Sequence, residues 1–190
     1  MMSRMTHGRR VRAGLLAAVA ILVATAVMPM LPAGAATATA PRTSLPTCQT
    51  GNLQGSLVIN TGSEAAGSSF VHIDLLNSGR TTCQLSGDPG VSAYNGHQVG
   101  GAAAWSPGFP KTPVILQPGQ VANSLLQIVR TANFPASTCR PITVSTLRVF
   151  PPNQSQSLLI SSSIISISVC SGSNTSLIVR PVVAGTGQLG

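Results

Sequence analysis

Fifteen residues, Asn77-Ser-Gly-Arg-Thr-Thr-Cys83-Gln-Leu85-Ser-Gly87-Asp88-Pro89-Gly90-Val91, place two reversal signals on either side of a cysteine and constrain the fold more than any other stretch. Asn77-Ser-Gly closes the apolar run 70–76, because Asn and Gly tolerate the positive φ of a tight reversal. Asp88-Pro89-Gly90 makes a second turn, with Pro setting φ to about −65° and Gly free to go left-handed. The stretch reads as the corner of a β-sandwich, with Cys83 placed where a disulfide can anchor it.

The run before the corner is the clearest strand. Val71, Ile73 and Leu75 alternate onto one face, expected to be the core, and Phe70, His72, Asp74 and Leu76 onto the other. Residues 57–60 form an earlier short strand, and the Gly- and Ser-rich 61–69 a loop. Residues 91–94 and 97–99 flank Asn95-Gly96, the strongest short hairpin signal. Residues 100–113, with Trp105, Phe109 and prolines at 107, 110 and 113, read as a long irregular loop. Strand 114–116 is turned by 117–120, and 121–130 is expected to return antiparallel. A strand over 138–150 stops at Pro151-Pro152, which cannot donate to a ladder, and 157–160, 164–170 and 176–183 complete the set. About nine short β-rich runs with turn residues between them, and no amphipathic helix after the N-terminal segment, predict an all-β antiparallel sandwich. A small closed barrel is the alternative.

The N-terminus sets the compartment. Arg4, Arg9, Arg10 and Arg12 precede an uncharged apolar run over 13–30 and the small residues Ala33-Gly34-Ala35-Ala36, the pattern of a secretory signal peptide cut after Ala35 or Ala36. Pro29, Pro32 and the lack of charges after the run argue against a membrane anchor, so no stable membrane insertion is expected after cleavage. The expected organisation is a signal peptide over 1–36, a flexible spacer over 37–47, a sandwich domain over 48–185 and a tail over 186–190.

Cleavage also changes the charge. The formal +8 of the whole chain falls to +4, because seven basic residues then face only Glu64, Asp74 and Asp88. The remaining cations are spread singly rather than clustered with aromatics, which excludes nucleic acid as a partner. Charged residues make up 7% of the chain, so Ser, Thr, Asn, Gln and Gly must form most of its surface. The many Val, Ile and Leu residues argue against disorder.

Cys48, Cys83, Cys139 and Cys170 in an exported chain imply two disulfides, with three connectivities open. Pairing Cys48 with Cys83 and Cys139 with Cys170 would close two similar loops, each stabilising by roughly 3 to 4 kcal/mol. A four-cysteine zinc site is disfavoured because no close C-x-x-C pair exists. The order Cys48, Asn77-x-Gly79, Cys83-x-Leu85-x-Gly87-x-Pro89-Gly90-Val91, Leu116-x-Pro118-Gly119, Cys139, Pro151-Pro152, Cys170 spans nearly the whole exported chain. It resembles an uncharacterised, mostly actinobacterial family of exported, often lipid-anchored proteins of unknown function with an immunoglobulin-like β-sandwich. The resemblance implies the sequential disulfide pairing and an envelope or extracellular setting, and brings no activity. Asp88 stands where relatives commonly carry an aromatic residue, and no cysteine follows the signal peptide to take a lipid.

Catalytic chemistry is sparsely provided for. The best titrating pair is His72 with Asp74, two apart on one strand face, roughly 6 to 7 Å along it. Joined by His97 or Asp88, the pair could ligate a metal or orient a serine. It reads instead as a solvated outer face. No Gly-x-Ser-x-Gly elbow, phosphate loop or HExxH occurs, and no cofactor is expected. Binding chemistry concentrates in residues 94–113, where Tyr94, Trp105, Phe109 and Lys111 lie in Gly- and Pro-rich loops of the kind a rigid sandwich displays. The competing reading of Trp105 is a plug for one end of the core. The expectation is a secreted, non-catalytic binding module for an unidentified protein or cell-wall component, with Trp105 as its anchor. The alternatives are a small secreted hydrolase using His72 and Asp74, or a purely structural wall protein.

Overall fold

The computed structural model of the protein describes residues 44–59, 64–65, 67–163, 165–172 and 174–187. The chain divides into Met1–Pro41 and Arg42–Gly190, and every described residue belongs to the second unit. The expected signal peptide and the first part of the expected spacer lie outside the described residues.

In chain order the strands are β1 (Leu53–Val58), β2 (Glu64–Ala65), β3 (Ser68–Asn77), β4 (Cys83–Leu85), β5 (Gly90–Tyr94), β6 (Gln98–Val99), β7 (Ala104–Trp105) and β8 (Val114–Leu116). They continue as β9 (Val121–Val129), β10 (Pro141–Val144), β11 (Thr146–Phe150), β12 (Leu158–Ser161), β13 (Ile167–Cys170), β14 (Leu177–Val179) and β15 (Val183–Ala184). One sheet runs β1-β3-β9-β14-β7, with β2 on β3 and β15 on β9. A second runs β12-β11-β5-β6, and β4–β8 and β10–β13 form two-stranded ribbons. The fold is an all-β sandwich whose ladders are antiparallel except for β7, which lies parallel to β14. Among the described residues no helix is long and apolar enough to cross a membrane.

β3 behaves as its alternation requires. Val71, Ile73 and Leu75 are buried, and in register with them β9 turns Leu126, Ser124 and Ala122 inward. Val91 and Ala93 of β5 and Leu147 and Val149 of β11 complete the same apolar cluster from the second sheet. Each large side chain removed from water there stabilises by about 1.5 to 3 kcal/mol. Both disulfides take the sequential pairing, Cys48–Cys83 and Cys139–Cys170.

The corner is held by a side chain as much as by its turns. Asn77, at the end of β3, is 1% exposed and donates from Nδ2 to the carbonyls of Thr81 and Leu116, while its Oδ1 accepts from the Gly79 amide. Its backbone amide donates to the Gln120 carbonyl, and its own carbonyl accepts from the Gly119 amide.

Those last bonds explain a departure from the expected pairing. The turn 117–120 does not return β9 onto β8: β8 pairs with β4, and β9 with β3. Because the Asn77 backbone bonds to both Gly119 and Gln120, the turn is drawn to the end of β3 and carries the chain from the ribbon into the sheet. The expected single strand over 138–150 is likewise divided, into a helical turn α1 (Ala136–Cys139), β10 and β11. Val144 is buried, and so are Leu147 and Val149, which have the opposite parity. A two-residue period cannot turn both sets inward, so the strand breaks at Ser145 and its halves join different sheets.

Three smaller differences concern loops. The Asn95-Gly96 hairpin has a three-residue loop that includes His97, closed by the Asn95 amide on the His97 carbonyl, with Gly96 at φ 71°. The end of the expected spacer is paired, Thr47 bridging Gln84 through the Gln84 amide on the Pro46 carbonyl and the Cys48 amide on the Gln84 carbonyl. The expected irregular loop 100–113 contains β7, because Ala104 and Trp105 find the open edge of β14.

Candidate functional site

Trp105 sits on β7, an edge strand two residues long, beside Val179 of β14. The Ser106 amide donates to the Val179 carbonyl, which pins the backbone and leaves the indole pointing outward. The residue is 62% exposed, so Trp105 is not the core plug that a lone tryptophan could have been. Lys111 reaches back over it, with Nζ 5.4 Å from the ring centroid. The same ammonium lies 2.7 Å from Asp88 Oδ2. Attraction of a cation to an aromatic face is worth about 0.5 to 1 kcal/mol at an exposed site.

Asp88 comes from the second turn of the corner, where Pro89 and left-handed Gly87 (φ 105°) fix the backbone on either side. Its side chain is only 1% exposed. The Ser86 hydroxyl donates to the Lys111 carbonyl, and Nδ2 of Asn153, itself left-handed at φ 60°, donates to the Ser86 carbonyl. Ser86, Asp88, Trp105, Lys111 and Asn153 line an open concavity of about 410 Å³.

Phe109 leaves the same loop into a different concavity. It is 40% exposed and stacks under the Arg180 guanidinium, 4.3 Å from its ring centroid. With His72, Asn123 and Arg180 it lines a second concavity of about 320 Å³, with an apolar floor. Three of the four candidate residues, Trp105, Phe109 and Lys111, therefore share one loop. Tyr94 does not join them: it ends β5, faces the Arg148 guanidinium at 5.7 Å, and lines a separate concavity with Thr143 and Ser161. Asp88, Asn153 and Arg180 were not among the expected binding residues. Asp88 had one signal, its stand in place of an aromatic; Asn153 and Arg180 had none, because only the fold brings them beside the loop.

The outer face of β3 is not the solvated face its alternation implies. Asp74 is buried, accepting from the Gly187 amide at 2.8 Å, and His72 Nδ1 lies 3.0 Å from Asn123 Oδ1. After β15 the chain turns across this face, with the Gly185 carbonyl on Asn123 Nδ2 and Gly187 packed so tightly on His72 that a Cβ there would overlap the imidazole. The described part of the expected tail is thus docked on the sheet. Among the described residues no three His, Cys, Asp or Glu side chains stand close enough to hold a metal ion.

Burial pushes the Asp74 carboxyl above its ordinary value of 3.8, against the opposing pull of the Gly187 amide and the His72 charge. The folded state then holds this proton more tightly than the unfolded state, so the contribution is present below 3.8 and is lost as pH rises through the folded value. Asp74→Asn removes that loss while its amide oxygen can still accept from Gly187. Urea unfolding from about pH 3 to pH 7 is expected to show the variant gaining on the wild type as pH rises. Asp74→Ala, which takes the carboxylate acceptor away from the Gly187 amide, costs about 1 to 3 kcal/mol at low pH and less as pH rises, since it too removes the titrating group. An Asp74→Ala tolerated at low pH would mean that the tail does not depend on this bond.

No curated protein and no solved structure matches the chain. The corner, both disulfides and the loop carrying Trp105 all fall within residues 48–183, which match the family model described as Domain of unknown function (DUF4232), and the chain belongs to that family.

Proposed function

We propose that the protein is a non-catalytic binding module, exported through a signal peptide over 1–36 and displayed outside the cell or in its envelope, that takes a protein or wall component on the loop carrying Trp105, Phe109 and Lys111, with Trp105 as its anchor. The observation that carries this reading is the exposure of Trp105, 62%, on a backbone tied to the sheet. A large apolar ring left in water is costly unless something covers it, and tryptophan is among the commonest anchors of binding faces. Pro107, Pro110 and Pro113 reduce the entropy the loop has left to lose on binding. The two disulfides fit an oxidising compartment. His72 and Asp74 are engaged by Asn123 and Gly187, which supports a structural role for them.

The test is to measure retention of the exported protein on envelope material together with its melting temperature. Trp105→Ala is expected to lose retention by about tenfold or more, as anchor truncations do, while changing stability by no more than about 0.5 kcal/mol. Unchanged retention would sink the assignment of this loop.

A further inference from the structure

The concavity beside Trp105 combines three features that together specify a ligand chemistry. The first is the flat indole at its edge, on a residue 62% exposed. The second is an ion pair, Lys111 Nζ to Asp88 Oδ2 at 2.7 Å. The third is an unanswered carboxylate: both Asp88 oxygens are buried without a hydrogen bond, Oδ2 meeting Lys111 only as an ion pair and Oδ1 meeting nothing. Buried carboxylate oxygens nearly always have donors, and one without is a demand that the native surroundings do not meet.

We infer that this concavity is a subsite for a neutral saccharide, with a sugar ring stacked on Trp105 and its hydroxyls bonded to Asp88, Lys111 and Asn153. The inference rests on the binding reading above and names its ligand class. A cationic ligand would be drawn to Asp88 but meets the Lys111 ammonium at 2.7 Å from the same carboxylate. An anionic ligand meets the reverse conflict, because Asp88 stands beside the cation it would seek. A neutral ligand meets neither. A hydroxyl is at once donor and acceptor, so adjacent hydroxyls can give a hydrogen to Asp88 Oδ1 and take one from the ammonium or the Asn153 amide. Bonds in which one partner is charged are about twice as strong as neutral ones, which suits a shallow site. A pyranose also presents a face of polarised C–H bonds, and these are attracted to the negative face of an indole. The volume of about 410 Å³ admits one or two rings and leaves the concavity open for a longer chain.

Trp105 is the one tryptophan of the chain, so its emission reports occupancy directly. Cellotetraose, maltotetraose, chitotetraose and mannotetraose are titrated into the exported protein and followed by fluorescence and calorimetry. At least one is expected to bind saturably with a blue shift of the emission. Affinity for that sugar falls about tenfold or more in Trp105→Ala and in Asp88→Asn, and stays within a few-fold in Trp105→Tyr, which keeps a stacking face. Asn153→Ala serves as a second polar variant should Asp88→Asn fail to fold, with a smaller loss expected. No saturable shift with any of the four sugars, or binding indifferent to Trp105, overturns the inference. Envelope retention separates the two claims. Trp105-dependent retention that survives periodate, which cleaves vicinal diols, but not protease leaves the binding reading standing and removes the saccharide. Retention indifferent to Trp105 removes both.

Discussion

Asn77→Asp, a change of one NH2 to one oxygen, is expected to destabilise the protein by about 3 to 5 kcal/mol at neutral pH. The site is 1% exposed, and the side chain donates at 2.9 Å to the Leu116 carbonyl and at 3.0 Å to the Thr81 carbonyl. An ionised carboxylate at this position has nothing to donate, so two carbonyls lose their partner and face a negative charge instead. Each orphaned buried group costs about 1 to 3 kcal/mol, and a buried charge adds to this unless it takes up a proton. Of the side chain's bonds only that from the Gly79 amide to Oδ1 survives. Asn77→Ala should cost about 3 kcal/mol, since it orphans the same carbonyls and that amide without adding a charge. The pair separates shape from hydrogen bonding, because Asp fills the site and Ala does not. Denaturant unfolding at about pH 7 and about pH 4 checks it: the Asp variant should recover part of its loss at the lower pH, where a protonated carboxyl can donate once, and the Ala variant should not. A cost below about 1 kcal/mol for Asn77→Asp would mean that the corner is held by its turns alone.

The second large effect is expected from the corner disulfide. Replacing Cys48 and Cys83 together by Ala should cost roughly 3 to 4 kcal/mol, the loop-closure entropy of a 35-residue separation. Cys139 and Cys170, 31 residues apart, should cost nearly the same on that argument alone. What differs is the structure at each end. Cys48 is fully buried and joins the core cluster, while the segment before it is tied to β4 by two backbone bonds at Gln84. Cutting this link should therefore free residues 44–48 from the sandwich and show as early hydrogen exchange at the Gln84 and Cys48 amides. At the other bridge, the Ser171 amide on the Arg140 carbonyl and the Gly172 amide on the Cys139 carbonyl hold the ends side by side without the sulfurs. Melting curves of the two double variants check the sizes. Equal exchange at Gln84 in both would show that the N-terminal segment does not depend on its disulfide.

Much of the fold was legible because its signals are local. Alternation at Val71, Ile73 and Leu75 is a property of seven consecutive residues, and the structure buries all three. The chain does leave β3 after Asn77, but without a positive φ at Asn77 or Gly79, and the left-handed residue of the second reversal is Gly87 rather than Gly90, which already belongs to β5. The break at Ser145 was legible in principle too, because the polar pair Ser145-Thr146 shifts the alternation of Ile142 and Val144 by one against that of Leu147 and Val149. The candidate site was legible only in part. Trp105, Phe109 and Lys111 are neighbours in sequence, so their sharing a loop needed no tertiary contact, although the fold sends Phe109 to a different concavity. Tyr94, equally near along the chain, is carried away by β5 into the second sheet and stacks on Arg148.

The sequence by itself determined the strand-rich class, the approximate places of the turns and the supply of chemistry: six aromatic residues and three carboxylates outside the first 36 positions. Those follow from residue type and short-range period, which no distant contact alters. Tertiary structure alone decided which strand pairs with which, and so that β8 joins β4 while β9 joins β3. It decided that Asp74 is buried under Gly187, and that Asp88 meets Lys111 beside an uncovered indole. Hydrogen-bond partners and burial depend on surfaces supplied by residues far along the chain. The same Asp on a strand face is solvated when nothing crosses it and buried when a returning segment does.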